Sequence, residues 1–131
     1  MFELDGIDHV ALAVRDVALS AQWYVEVLGF ERRLPGMWNG VPVFVGKGTT
    51  ALALFAARDA RRSAEAPPIR MLHLAFRTSR HEFVNAQRDL KRRGIAFEFE
   101  DHEISHSIYF QDPDGHQLEI TTYDVATDCN G

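Results

Sequence analysis

The chain has 131 residues, 46% of them apolar and 25% charged, the make-up of one soluble globular domain or of two very small ones sharing a core. A net charge of −5 argues against nucleic acid as a partner, which asks for basic patches. The single cysteine, Cys129, excludes a disulfide framework and makes a reducing compartment the default; with no apolar run near the roughly 20 residues of a membrane span and no signal peptide in MFELDGIDH, a cytoplasmic location without membrane partners is expected.

Taken in order, Ile7 to Val14 reads as a strand, with Val10, Leu12 and Val14 on one face and His9 with small neighbours on the other. Asp16 suits an N-cap, and from Val17 to Leu28 the pattern turns helical, with Leu19, Trp23 and Val27 as its apolar stripe and Gly29 as its stop. Strands are expected over Phe30 to Leu34, Val41 to Val45 and Ala51 to Ala56, the last two joined by a turn at Gly46-Lys47-Gly48. The charged, Ala-rich stretch 58–68 ends in Pro67-Pro68 and reads as a linker, with Arg58, Arg61 and Arg62 solvated.

The order then repeats. Met71 to Arg77 is a strand with Leu72, Leu74 and Phe76 on one face and His73 on the other. Ser79 and Glu82 form a capping box for a helix with Phe83, Ala86 and Leu90 as its stripe; Lys91, Arg92 and Arg93 suit its end and Gly94 stops it. Ile95 to Glu100 is a strand. His106 to Gln111 and Gln117 to Tyr123 are two more, joined by the turn Asp112-Pro113-Asp114-Gly115. In the last strand Leu118, Ile120 and Thr122 point one way, and Gln117, Glu119, Thr121 and Tyr123 the other. Glu119 thus sits mid-strand on a polar face, either solvated or inside a lined cavity with a cation. His81 and His116 read as surface residues.

Two copies of one unit emerge: strand, helix, strand, strand, strand. His9 matches His73, Gly29-Phe30 matches Gly94-Ile95, and the Gly48 turn matches the Gly115 turn. The expected fold is α+β, a single domain over 1–131 built of two βαβββ units, about 5–57 and 69–124, whose paired sheets curl around a cleft.

IDHVAL near the start, WYVEVLGF at the end of the first helix, LHLAFR opening the second unit and YFQDPDGHQLEI near the end together resemble the vicinal-oxygen-chelate superfamily, which includes glyoxalase I, fosfomycin- and bleomycin-resistance proteins and extradiol dioxygenases. The likeness runs from about Ile7 to Tyr123. It implies a divalent metal on His9, His73 and Glu119. Many glyoxalase I-type enzymes have a fourth ligand where the first unit is expected to carry Leu52 or Leu54. Two histidines and one carboxylate with open positions suit Fe(II) or Mn(II), with Zn(II) or Ni(II) as alternatives. The resemblance further implies Tyr109 as an active-site residue with His106, and His102 as a substrate contact. Trp38, in a Gly-flanked loop, lines the cleft mouth or packs at a dimer interface. No further acid–base His stands near Thr49 to Leu52, as ring-cleaving dioxygenases would have. No basic residue stands at Glu103 to Ser105, where fosfomycin transferases have one.

The implied function is a metal-dependent enzyme, dioxygenase-like or lyase/isomerase-like, acting on a small molecule with neighbouring oxygens. A metal-free bleomycin-resistance-type binding protein and a fosfomycin-resistance-type transferase are the alternatives, and a homodimer is implied for all three.

Overall fold

The computed structural model describes residues 1–37, 42–57 and 71–125. It contains β1 (Val10–Val14), α1 (Val17–Leu28), β2 (Glu31–Arg33), β3 (Val43–Lys47) and β4 (Thr50–Ala56), then β5 (Leu74–Arg77), α2 (Arg80–Arg92), β6 (Glu98–Asp101), β7 (His106–Gln111) and β8 (Gln117–Thr122). The chain divides into two compact units, Met1–Ala66 and Pro67–Gly131. Each holds one four-stranded open sheet, ordered β1-β4-β3-β2 and β5-β8-β7-β6. Both sheets are mixed: the first strand of each unit runs parallel to the last, and the other pairings are antiparallel. The fold is α+β, two βαβββ units on one plan. Among the described residues no helix is long and apolar enough to cross a membrane. The linker stretch and Trp38 lie outside the described residues.

Local signals explain the helices. Asp16 is extended and its carboxyl accepts from the Leu19 N–H; Gly29, at φ 72°, closes α1 in the left-handed region and bonds back to the Tyr24 carbonyl. Ser79 caps α2 by accepting from the Glu82 N–H.

The buried face of α1 differs from the expected stripe. Leu19 is 54% exposed, while Ser20, Ala21 and Tyr24 are buried. Small residues let the helix lie close to its sheet, and the Tyr24 ring fills the space beside them, stacked on Phe30 at 5.9 Å. On α2 the expected Phe83 and Leu90 are the buried pair.

Strand ends also move. Ladder pairing in the first and fifth strands starts at Val10 and Leu74, so Ile7 to His9 and Met71 to His73 are lead-in segments. Gly46 belongs to β3, opposite Ala51, and the turn is Gly48-Thr49. A Cβ on Gly46 would run into the Thr50 carbonyl, which is why that strand position has no side chain.

The β7–β8 connection matches its sequence signal. Asp112, nearly buried, accepts from the N–H groups of Asp114 and His116 at 2.9 Å each. Gly115, at φ 85°, lets the chain reverse.

Candidate functional site on the second sheet

Side-chain alternation sorts the second sheet into two faces. Leu118 pairs with Leu74 and Phe110, and Ile120 with Phe76 and Ile108; these residues form the apolar face. The other face carries Glu119, registered between Ala75 on β5 and Tyr109 on β7, and Thr121, registered between Arg77 and Ser107. Glu98 and Glu100 continue that face onto β6, opposite Tyr109 and Ser107.

On this face polar groups converge on Glu119, which is only 8% exposed. His73 Nε2 lies 3.0 Å from Glu119 Oε1. Ser107, fully buried, donates to Glu119 Oε2 at 2.7 Å. The His73 ring meets Tyr109 edge-on, with centroids 5.8 Å apart. The Tyr109 hydroxyl lies 3.1 Å from His102 Nε2, which in turn lies 3.5 Å from Glu100 Oε1. Burial, above all, holds the Tyr109 phenol above its ordinary pKa; the charges and hydrogen bond of Glu119 and the charge of Glu100 push the same way, opposed by a hydrogen bond with Ser107. Tyr109 is therefore a protonated donor throughout the neutral range.

The structure thus brings His73, Glu119, Tyr109 and His102 together. It separates His106 from them. His106 is an odd number of residues from Tyr109, so its side chain leaves the opposite face of β7, where its ring packs on Phe99 at 5.3 Å and Phe99 packs on Phe83 of α2. His106 Nε2 also faces Asp101 Oδ1 at 3.5 Å.

His9 belongs to the first unit. Its Nδ1 meets Asp8 Oδ2 at 2.8 Å, and its ring meets Phe44 edge-on at 5.2 Å, as His73 meets Tyr109. Register makes the correspondence explicit. Ala11 and Phe44 flank Ala53, as Ala75 and Tyr109 flank Glu119. The first-unit counterpart of Glu119 is therefore Ala53. Leu52 and Leu54, the sequence expectation, fill the core on the other face.

Ser107 escapes sequence reading. Its only signal is its place two residues before Tyr109, hence on the same face, and a strand serine is too common to single out.

The contact between His73 Nε2 and Glu119 Oε1 also tests the implied metal. Two donors bound to one divalent cation at right angles, with bonds of about 2.1 Å, stand about 3 Å apart. An imidazole nitrogen and a carboxyl oxygen at 3.0 Å fit that requirement, and pair by hydrogen bonding when no cation is present. Among the described residues, no three His, Cys, Asp or Glu side chains gather into a group that could hold a metal ion.

A family model described as Glyoxalase/Bleomycin resistance protein/Dioxygenase superfamily matches residues 6–120. Among characterised relatives, the glutathione transferase FosA of Serratia marcescens is 30% identical over 124 residues, covering 94% of this chain and 84% of that protein. The metallothiol transferase FosB of Staphylococcus epidermidis is 30% identical over 122 residues, covering 91% and 84%. Among solved structures, a glyoxalase/dioxygenase from Nostoc punctiforme shares the fold with a TM-score of 0.75 at 24% identity, covering 92% of each chain.

Proposed function

For a chain that belongs to the Glyoxalase/Bleomycin resistance protein/Dioxygenase superfamily, we propose a divalent-metal-dependent enzyme acting on a small molecule with neighbouring oxygens. The observation that carries this reading is the pairing of His73 Nε2 with Glu119 Oε1 at 3.0 Å on the face that also holds Tyr109. The proposed metal-binding set is His73 and Glu119 of the second unit with His9, the first unit's counterpart of His73. The metal, when bound, supplies a Lewis acid that polarises substrate oxygens. Fe(II) or Mn(II) suits two histidines and one carboxylate, with Zn(II) or Ni(II) as alternatives.

Tyr109, kept protonated, donates a hydrogen bond to a substrate oxygen. His102 holds the Tyr109 hydroxyl and extends the polar face toward the β6–β7 turn. Glu119 is buried on this face, with Oε2 held by Ser107 and Oε1 turned to His73.

Among reaction types, thiol transfer gains support from the two relatives at 30% identity, both named as transferases of a thiol. In such a step the thiol sulfur bonds to a carbon of a strained cyclic ether, the carbon–oxygen bond breaks, and the oxygen takes up the proton that the thiol gives. Isomerisation or ring-cleavage of a substrate with vicinal oxygens is the second reading, consistent with the family as a whole.

Elemental analysis tests the proposal, on protein purified anaerobically without a chelating column. About one Fe, Mn, Ni or Zn per chain, lost in His73→Ala and Glu119→Ala, is expected. Wild-type protein that holds no metal and takes up none of the four ions when they are added would remove the metalloenzyme reading, leaving a small-molecule binding protein. Loss of free thiol upon adding an epoxide, dependent on the metal, would distinguish transfer from isomerisation.

A further inference from the structure

We propose that Ser107 is a positioning residue: with Thr121 it fixes the Glu119 carboxyl so that Oε2 is engaged internally and only Oε1 faces outward. The inference rests on the metal-binding reading of Glu119 and adds a residue that the reading does not contain.

A serine has one hydroxyl proton. Ser107 gives it to Glu119 Oε2 at 2.7 Å. Its oxygen is then free to accept, and Thr121 Oγ1 lies 3.0 Å away. The His106 carbonyl, 3.3 Å from Thr121 Oγ1, is a further acceptor for the threonine proton. Thr121 gives its single proton to that carbonyl or to Ser107; the shorter contact and the charge of the acceptor make Glu119 Oε2 the partner of the Ser107 proton. Ser107 is fully buried, so water does not compete for the bond, and a strand backbone holds each of the three side chains at adjacent register positions. Rotation of the carboxyl breaks the 2.7 Å bond and turns the Ser107 proton to the longer contact with Thr121 Oγ1. Oε1, the remaining oxygen, is the one that meets His73.

The first unit supplies an independent comparison. Its counterpart of Glu119 is Ala53, and the counterpart of Thr121 is Phe55, which pairs with Ala13 as Thr121 pairs with Arg77. Two residues before Phe44, as Ser107 stands two before Tyr109, is Pro42. Both hydroxyls are present where the acid is present, and both are missing where it is missing. A serine and a threonine needed only to fill a sheet face have no reason to vary with the acid.

The consequence is that Glu119 offers a cation one oxygen, and that removing the Ser107 hydroxyl frees the second. The test compares wild type, Ser107→Ala, Ser107→Thr and Thr121→Val, the last nearly unchanged in shape. Mn(II) is titrated in while the free-ion electron paramagnetic resonance signal is followed, and the visible bands of Co(II)-loaded protein are recorded. Metal-free crystal structures of wild type and Ser107→Ala complete the set. Loss of a residue that orients a ligand weakens metal binding by about 10- to 100-fold, which is expected for Ser107→Ala. A smaller loss is expected for Thr121→Val and near-wild-type affinity for Ser107→Thr, which keeps the hydroxyl. The Co(II) bands should change intensity in Ser107→Ala alone, as the second oxygen joins. Unchanged affinity together with unchanged Co(II) bands in Ser107→Ala would overturn the assignment and leave the metal reading standing. If wild type takes up neither ion, the metal reading falls and the metal-free structures decide the role of Ser107: a Glu119 that leaves His73 in Ser107→Ala supports it, and one that stays in place removes it.

Discussion

Tyr109 stands directly across from Glu119 on neighbouring antiparallel strands, a carboxyl and a phenol held side by side on one face of a sheet. Cross-strand neighbours on the same face lie about 5 Å apart, so the Glu119 carboxylate adds its charge to the larger effect of Tyr109's own desolvation. Tyr109 accordingly titrates above the ordinary tyrosine value of 10.0. A folded-state pKa above the unfolded one means that this group's contribution to stability is complete below about pH 10 and is lost as pH climbs through the folded value. A difference titration followed at the phenolate absorbance, wild type minus Tyr109→Phe, should show a late-ionising phenol. Unfolding midpoints above pH 10 should fall more steeply in wild type than in the variant. A Tyr109 that ionises at or below 10 would contradict the half-buried, anion-flanked environment.

Asp112 organises the turn between β7 and β8 by accepting from two backbone N–H groups, those of Asp114 and His116. Asp112→Ala leaves both donors without that partner in a nearly buried turn. The expected loss is about 1.5–3 kcal/mol by urea unfolding, the range for hydrogen bonds to a charged group. Asp112→Asn, which keeps an acceptor oxygen, should lose less than half of that.

Gly46 lies in β3 where an added Cβ would strike the Thr50 carbonyl across the ladder. Gly46→Ala should therefore cost about 1–3 kcal/mol, as overpacking does. The same substitution at Gly36, where a Cβ meets no atom within 4 Å, is strained only by its φ of 81° and should cost about 1 kcal/mol. Thermal unfolding of the two variants separates a steric cost from a purely conformational one.

Asp89 sits near the end of α2 between Arg92 and Arg93. Hydrogen bonds with Arg93 and then Arg92 hold its carboxyl below the usual value of 3.8, against a smaller opposing effect of burial. With the folded pKa depressed, the stabilisation is present above about pH 4 and lost as pH falls through the folded value. Asp89→Asn should be less stable than wild type at pH 7 by under about 1 kcal/mol, since the pair is partly solvated. The two should converge below about pH 3 and in high salt. A constant difference across that range would assign the effect to packing.

What the sequence conveyed depends on how far each signal reaches along the chain. The span from His106 to Thr122 was legible almost to the residue, because alternation and an Asp-Pro-Asp-Gly turn are local properties. So were both helices and their caps at Asp16 and Ser79. Polar-face membership of Glu119 and His73 was also legible, since parity suffices. Register between distant strands was not. Leu52 and Leu54 look like counterparts of Glu119 by simple spacing, and only the ladder of β1 on β4 selects Ala53. Likewise the helical period of α1 admits several stripes. Close approach to the sheet chose Ser20 and Ala21 over Leu19, a choice made by tertiary contact. His106 was misgrouped with Tyr109 although parity alone separates them.

The two sheets share one plan, yet only the second carries a carboxyl, a phenol and a serine on the face where the first carries Ala53, Phe44 and Pro42. Substitution tolerance should consequently be lopsided. Across a library of single variants, changes at the buried Ala53 should be read out as lowered protein abundance, whereas on the proposed metalloenzyme reading changes at Tyr109 should cost activity more than abundance. The chain holds, in effect, its own internal control: a matched set of positions at which the same backbone geometry carries apolar side chains in one half and polar ones in the other.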